Sequence, residues 1–234
     1  MPLKPRESQL NMTPQHQGRP RAIISWSGGK DSYLAFLRAR DSFTFVSALT
    51  MINEEGTRSR SHGLRPDVVK AQLDSLGLSW ICRQCSWSSY QDAFVAALRE
   101  AAAQGVTHLV CGDIVYSQHK QWVERVCGDA GIHAVEPLWG EPTIDVCLEF
   151  LNRGGIARIV AVAAHKLPPA WLYRELDEAA VLELARLGVD PCGENGEYHT
   201  LVTSCPAFAQ PLTLEPGAHV LRDGYWAIDV RVAP

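Results

Sequence analysis

A doubly wound α/β fold, built on a parallel sheet and followed by a smaller α/β unit, is what the sequence predicts. Three observations lead there. Short strand-like runs alternate with helix-length segments through residues 22–130, the pattern of successive βαβ units. The first run, residues 22–26, is apolar and rich in β-branched residues, as a buried parallel strand is. The alternation then breaks at residues 136–140, Glu-Pro-Leu-Trp-Gly, and a shorter set of elements follows.

The elements can be justified in order. Residues 22–26 form the first strand and run directly into Ser27-Gly28-Gly29-Lys30-Asp31-Ser32. Tyr33, Leu34, Phe36 and Leu37 then recur at helical spacing, with the helix ending near residues 38–40. Residues 43–51 read as a second strand. Residues 67–76 read as a helix with Val68, Val69, Leu73 and Leu76 on one face, and residues 80–82 as a brief strand. An alanine-rich helix over 90–104 is stopped by Gly105, and strand-like 106–111 leads to Gly112-Asp113. A helix over 120–130 ends at Gly131. Past the break, 143–153 reads as a helix, 158–164 as a strand and 177–187 as a helix. Residues 217–232 read as two antiparallel strands around Asp223-Gly224, a hairpin signal. The expected division is a disordered leader over 1–20, a first unit over 21–138 and a second over 139–234.

Composition narrows the class. The 234 residues carry 22 Lys+Arg against 26 Asp+Glu, a formal charge of −4, with 46% hydrophobic and 21% charged residues. That is an ordinary globular balance, and it disfavours a protein holding nucleic acid through a broad basic surface. No apolar stretch approaches the roughly 20 residues that span a bilayer. The leader, with Pro2, Pro5, Pro14 and Pro20, lacks the apolar core of an export signal, so a cytoplasmic protein with reduced thiols is expected. Seven cysteines fit that expectation. Cys82 and Cys85 form a lone C-x-x-C, which cannot complete a four-ligand zinc site and reads as two helix-spaced or loop cysteines.

The segment between the first strand and first helix carries the chemistry. A helix start offers unpaired N–H groups and partial positive charge, so it favours a polyanion. Gly28 and Gly29 let backbone approach phosphate oxygens, Ser27 and Ser32 add hydroxyl donors, and Lys30 adds a full charge. Asp31 makes sense there as a helix cap or as a carboxylate orienting Mg2+. A Walker A loop is excluded, because Lys30 is followed by Asp31 and the upstream spacing fails. A second cluster lies at residues 190–200. Gly193 and Gly196 permit a tight turn, Glu194 and Glu197 bring two carboxylates together, and His199 adds a titratable ring. Such a cluster suits an ammonium ion, a substrate amine or a metal; a polar loop preceding a strand has the same composition.

These residues resemble a known family. Ser27–Ser32, S-G-G-K-D-S, looks like the PP-loop of the ATP pyrophosphatases, which cleave ATP between its α- and β-phosphates. Residues 193–200, G-E-N-G-E-Y-H-T, resemble the G-E-x-G-E-[FY]-x-T signature of the diphthine–ammonia ligase family. Cys111-Gly112-Asp113-Ile114, Val123-Glu124-Arg125-Val126-Cys127, Gly131, Pro137-Leu138-Trp139-Gly140 and residues 171–177 are also similar, with Tyr173 where glycine is usual. The likeness runs through most of the chain from Ala22 onward. One segment departs: residues 116–122, Tyr-Ser-Gln-His-Lys-Gln-Trp, stand where members acting on the elongation factor show S-D-Y-Q-R-x-R, and only Lys120 is roughly retained.

The resemblance implies a Rossmann-like (HUP-type) fold and a ligase that adenylates a carboxylate with ATP, releases pyrophosphate and amidates the acyl group with ammonia. It implies an ATP and pyrophosphate site at Ser27, Gly28, Gly29, Lys30, Ser32, Thr50, Met51, Gly112 and Asp113, with Mg2+ on Asp31. It implies an acceptor site at Gly193, Glu194, Asn195, Gly196, Glu197, His199 and Thr200, with Lys30, Asp31, Glu194 and Glu197 as catalytic groups. His62 joins the acceptor candidates from its own Ser/Arg-rich loop, 58–65, which suits covering the nucleotide or reaching an anionic substrate and equally suits a solvated basic loop. The expected partners are ATP, ammonium, a protein-borne diphthine or small-molecule carboxylate, and a second copy of the chain; membranes and nucleic acid are not expected. The roughly 95 residues after the first unit leave little room for a glutaminase domain, which favours free ammonium. A tRNA-modifying PP-loop enzyme, an amidating enzyme of cobalamin salvage and a non-catalytic ATP-binding regulator are the alternatives. His165-Lys166, following a strand, is a further candidate, and Trp80, Trp87, Trp122, Trp139 and Trp226 read as packing groups.

Overall fold

A computed structural model describes residues 18–233. Most of the expected leader, residues 1–17, lies outside the described residues. Five parallel strands form the first sheet: β1 (Arg21–Ser25), β2 (Thr44–Ile52), β3 (Ser79–Gln84), β4 (His108–Val110) and β5 (His133–Val135). Their order is β3-β2-β1-β4-β5, so the direction of winding reverses between β1 and β4. The intervening helices are α1 (Lys30–Ala39), α2 (Pro66–Leu76), α3 (Tyr90–Ala103) and α4 (Ser117–Ala130). β1 shows why its apolar run does not alternate. Ile24 packs with α1 and α2 on one face and Ile23 with α3 and α4 on the other, both with no exposure. This is the doubly wound α/β sheet.

The second unit comprises α5 (Thr143–Asn152), β6 (Ile156–Ala163), a 3-10 turn (Pro169–Trp171), α6 (Glu178–Arg186), β7 (Tyr198–Ser204), β8 (Leu214–Arg222) and β9 (Tyr225–Val232). Its four-stranded sheet, in the order β7-β6-β9-β8, is antiparallel. Asp177 begins α6 by accepting the Ala180 N–H at 2.7 Å, an N-cap on an orphan donor. The apolar core on the α1–α2 side of the first sheet continues without interruption into this unit. Tyr33 of α1 meets Phe150 of α5 edge-on at 6.0 Å, and both are buried. Arg38 of α1 pairs with Glu141 and with Glu149 of α5.

Several sequence expectations need correcting. β5 carries no run long enough to show a period, and β7 is a strand despite its polar Tyr198-His199-Thr200. α4 starts at Ser117, not residue 120. Cys82 lies within β3 and Cys85 just beyond it, so the C-x-x-C is strand-spaced; all seven cysteines are free. Trp87 is not a packing residue. It is 69% exposed, beneath the Arg60 guanidinium at 4.9 Å and stacked on Tyr90. Tyr173 adopts φ +63, the left-handed region that favours glycine, which explains the glycine in similar sequences. Here Arg158 holds the conformation by donating to the Tyr173 carbonyl at 3.0 Å while lying over its ring. Among the described residues no helix is long and apolar enough to cross a membrane.

Candidate active site

A cavity of about 370 Å³ opens at the carboxyl ends of β1 and β4, where a doubly wound sheet places its ligands. It gathers residues from four segments. The β1–α1 loop contributes Ser27 and the first turn of α1 contributes Lys30, Asp31 and Ser32, while the segment after β4 contributes Gly112 and Asp113. The β2–α2 loop contributes Ser61 and His62. The second unit contributes Gly193, Glu194, Gly196, His199 and Thr200. Two clusters separated by some 160 residues of chain are thus one site.

The β1–α1 loop is shaped by Gly28, whose φ of +85 suits glycine and whose missing side chain leaves room for Leu64 and Gln72. α1 starts with Gly29 as N-cap and no side-chain cap, so Asp31 sits in the first turn and is not the cap. A Cβ on Gly112 would lie 2.8–2.9 Å from Asp31 and Ser32 backbone, so glycine is what lets the end of β4 close against that turn. Ser27 and Ser32 hydroxyls lie 3.1 Å apart. The Lys30 N–H donates to Thr200 Oγ1 at 3.2 Å.

Lys30 is buried, and its Nζ donates to the Cys192 carbonyl at 2.6 Å and to Asp31 Oδ2 at 3.0 Å. Burial works against its charge, and the Asp31 carboxylate, with Tyr198, Cys192 and Cys147 behind it, outweighs that, so Lys30 stays protonated well above its ordinary range. Asp31 Oδ1 is buried without a hydrogen-bond partner. Glu194 is pushed up to about 7, chiefly by burial and then by the neighbouring Asp31. His62 and His199 stack at 4.6 Å. Burial lowers them to about 4 and about 3, so both are neutral near pH 7. His62 Nδ1–H donates to the Thr200 carbonyl at 2.9 Å.

The residues 190–197 form a loop held from inside. Asp190 Oδ1 accepts the N–H groups of Cys192 and Glu194, and the buried Glu197 carboxylate accepts from Asp190 N, Asn195 N and Asn195 Nδ2. Glu194 lines the cavity while Glu197 and Asn195 do not, which corrects the expectation of two adjacent carboxylates in the site. Thr50 and Met51 also lie outside the cavity. The Thr50 hydroxyl donates to the Trp26 carbonyl, and the Met51 carbonyl already accepts the Arg60 N–H at 2.9 Å. His165 and Lys166 are exposed elsewhere.

Tyr116 and His119 were missed as cavity residues. Tyr116 OH donates to Asn195 Oδ1 at 2.7 Å, joining the start of α4 to the 190–197 loop. His119 Nδ1 lies 3.5 Å from Asp113 Oδ1, which raises its pKa. The departure of 116–122 from the family pattern was the available signal. Lys120, the retained basic residue, instead pairs with Glu136 and lies over Trp139.

The β2–α2 loop is strapped to both units. Arg58 pairs with Asp229 of β9 at 2.7 Å, Arg65 approaches the same carboxylate at 3.7 Å, and Arg60 Nε donates to the Cys85 carbonyl at 3.0 Å. Asp229→Ala removes the shared anchor: Arg58 and Arg231, which pairs with the same carboxylate at 3.3 Å, lose it, while Arg65 keeps Asp67 at 3.4 Å. The expected loss is about 1–3 kcal/mol of unfolding free energy, read by urea denaturation.

Comparison with known proteins decides the family. The diphthamide synthase N-terminal domain matches residues 20–134, and the diphthamide synthase C-terminal domain matches residues 143–232. The chain belongs to the diphthamide synthase family. Curated relatives named diphthine–ammonia ligase include one from Homo sapiens, 27% identical over 151 residues, and one from Bos taurus, 29% identical over 136. These matches span 63% and 56% of this chain, and 57% and 51% of the relatives' own lengths. The chain therefore spans a little over half the length of these two relatives. Among solved structures, a predicted subunit of tRNA methyltransferase from Methanocaldococcus jannaschii aligns at a TM-score of 0.42 and 13% identity, over 80% of this chain and 98% of that one.

Proposed function

We propose that this member of the diphthamide synthase family is an ATP-dependent carboxylate–ammonia ligase. The carboxylate of the acceptor attacks the α-phosphate of ATP, the bond from that phosphorus to the α,β-bridging oxygen breaks, and pyrophosphate leaves. Ammonia then attacks the acyl carbon and AMP leaves. One observation carries the reading: Lys30, in the phosphate loop, donates to the Cys192 carbonyl of the acceptor loop, so both half-reactions share one cavity.

In this reading the first unit, 21–138, holds the nucleotide and the second, 139–234, the acceptor. Lys30 and the start of α1 neutralise the leaving pyrophosphate, with the Ser27 and Ser32 hydroxyls as further donors. Mg2+ fits the donor set at Asp31, whose Oδ1 lacks a partner. Among the described residues no three His, Cys, Asp or Glu side chains could cage a metal alone, which suits an ion held by one or two carboxylates plus phosphates. When bound it supplies charge neutralisation to the phosphates. Glu194, poised near neutrality in the cavity wall, takes the proton from the ammonium nitrogen. Neutral His62 and His199 form a wall of the same chamber, and Glu197 keeps the loop in shape.

The test is pyrophosphate release from ATP, Mg2+ and ammonium across a panel of carboxylate acceptors, with diphthine-bearing elongation factor and tRNA as separate arms. Ammonium-dependent release on a carboxylate supports the ligase. Silence on every carboxylate with turnover on tRNA replaces it with a tRNA-modifying enzyme.

A further inference from the structure

Gln72 of α2 is a neutral polar residue with no exposure at all. Its carboxamide is fully used. Nε2 donates to the Gly28 carbonyl at 2.9 Å and the Val202 carbonyl of β7 at 2.8 Å, and Oε1 accepts the Trp26 indole N–H at 3.0 Å. The two amide hydrogens and one acceptor are what a Gln side chain offers to a site of this shape. Around it, the Val202 N–H donates to the Gly28 carbonyl at 3.0 Å. A Cβ on Gly28 would meet Gln72 Oε1 at 2.8 Å, so the amide packs directly on the loop backbone.

We propose that Gln72 is a positioning residue for the phosphate loop: together with the Val202 N–H it clamps the Gly28 carbonyl to β7 and so fixes the Gly28–Gly29 peptide, whose N–H donates to the cavity-lining Ser27 hydroxyl at 3.2 Å and thereby places that hydroxyl for a polyphosphate. It also makes the second unit part of the phosphate site, since the same amide holds β7. The argument is one of preorganisation. Donors stabilise developing charge only when they are already aimed, and Gly28, at φ +85, has no side chain of its own to fix the peptide on which Ser27 rests. Leucine at 72 fills similar space but leaves the Val202 carbonyl and the Trp26 N–H without these partners, and leaves the Gly28 carbonyl held by the Val202 N–H alone.

The inference rests on the proposed reading of the loop as a pyrophosphate cradle. Calorimetric titration of the full chain with ATP and with inorganic pyrophosphate tests it. Wild type, Gln72→Leu and Gln72→Asn are compared with Leu73→Ala, a core truncation on the same helix that leaves the three amide bonds in place. Gln72→Asn keeps the amide but is too short to span both carbonyls, and serves if the leucine variant does not fold. The Gln72 variants are expected to bind both probes about tenfold more weakly, while Leu73→Ala melts at a lower temperature with unchanged affinity. Unchanged affinity in a folded Gln72 variant, or an equal loss in Leu73→Ala, overturns the positioning role. A wild-type chain that binds neither probe overturns the cradle itself.

Discussion

Lys30→Ala is expected to lower ATP-dependent pyrophosphate release, the activity proposed here, by about 10²–10³-fold, the usual loss when one preorganised donor to a developing anion is removed. The substitution has a second effect that must be separated from the first. Lys30 and Asp31 form a buried pair at 3.0 Å, with side chains 3% and 20% exposed. Removing one partner leaves a carboxylate without compensation, at about 3–5 kcal/mol. Asp31→Asn placed in the same chain removes that charge. The double variant is expected to recover stability in denaturant titration while turnover stays at or below the level of Lys30→Ala, since Asp31 is also the proposed Mg2+ holder. If turnover returns with stability, Lys30 is a structural lysine and its role at the leaving group is wrong.

Glu194→Gln tests the other half of the cavity. The glutamine is isosteric, and Glu194 makes no side-chain contact on which the loop depends, because Asp190 and Glu197 hold the loop. Nucleotide affinity should therefore be retained while amide formation falls by about 10²–10⁴-fold, the usual contribution of a positioned proton acceptor. The pH profile gives the sign. With its pKa pushed up to about 7, Glu194 is protonated below neutrality and accepts a proton only above it, so the wild-type rate rises through pH 7. The variant should lack that rising limb. Lost ATP binding in Glu194→Gln would move the residue to the nucleotide half.

The sequence was most legible where chemistry is local. The S-G-G-K-D-S segment carries its strand, turn and helix start within one dozen residues, and its position in the fold followed. Glu194 and Glu197 were harder. Three residues apart in a Gly-rich loop, they look alike, and only backbone closure by Asp190 shows that Glu197 turns inward. Tyr116 and His119 depend on how the start of α4 meets a loop about 80 residues away, which no local pattern encodes. Met51 failed for a related reason: its carbonyl is taken by the folded-back Arg60. Gln72 did leave a trace. It falls at helical spacing from Val68 and Val69, on the apolar face of α2, where a glutamine has no place unless something buried needs an amide.

The central claim is that the cavity cleaves ATP between the α- and β-phosphates and spends the adenylate on ammonia. Phosphorus NMR of a turnover mixture containing ATP, Mg2+, ammonium and an active carboxylate tests it most directly. Equal amounts of AMP and pyrophosphate, formed in step with amide and dependent on ammonium, are predicted. ADP and inorganic phosphate, or AMP formed at the same rate with no amide when ammonium is present, would contradict it.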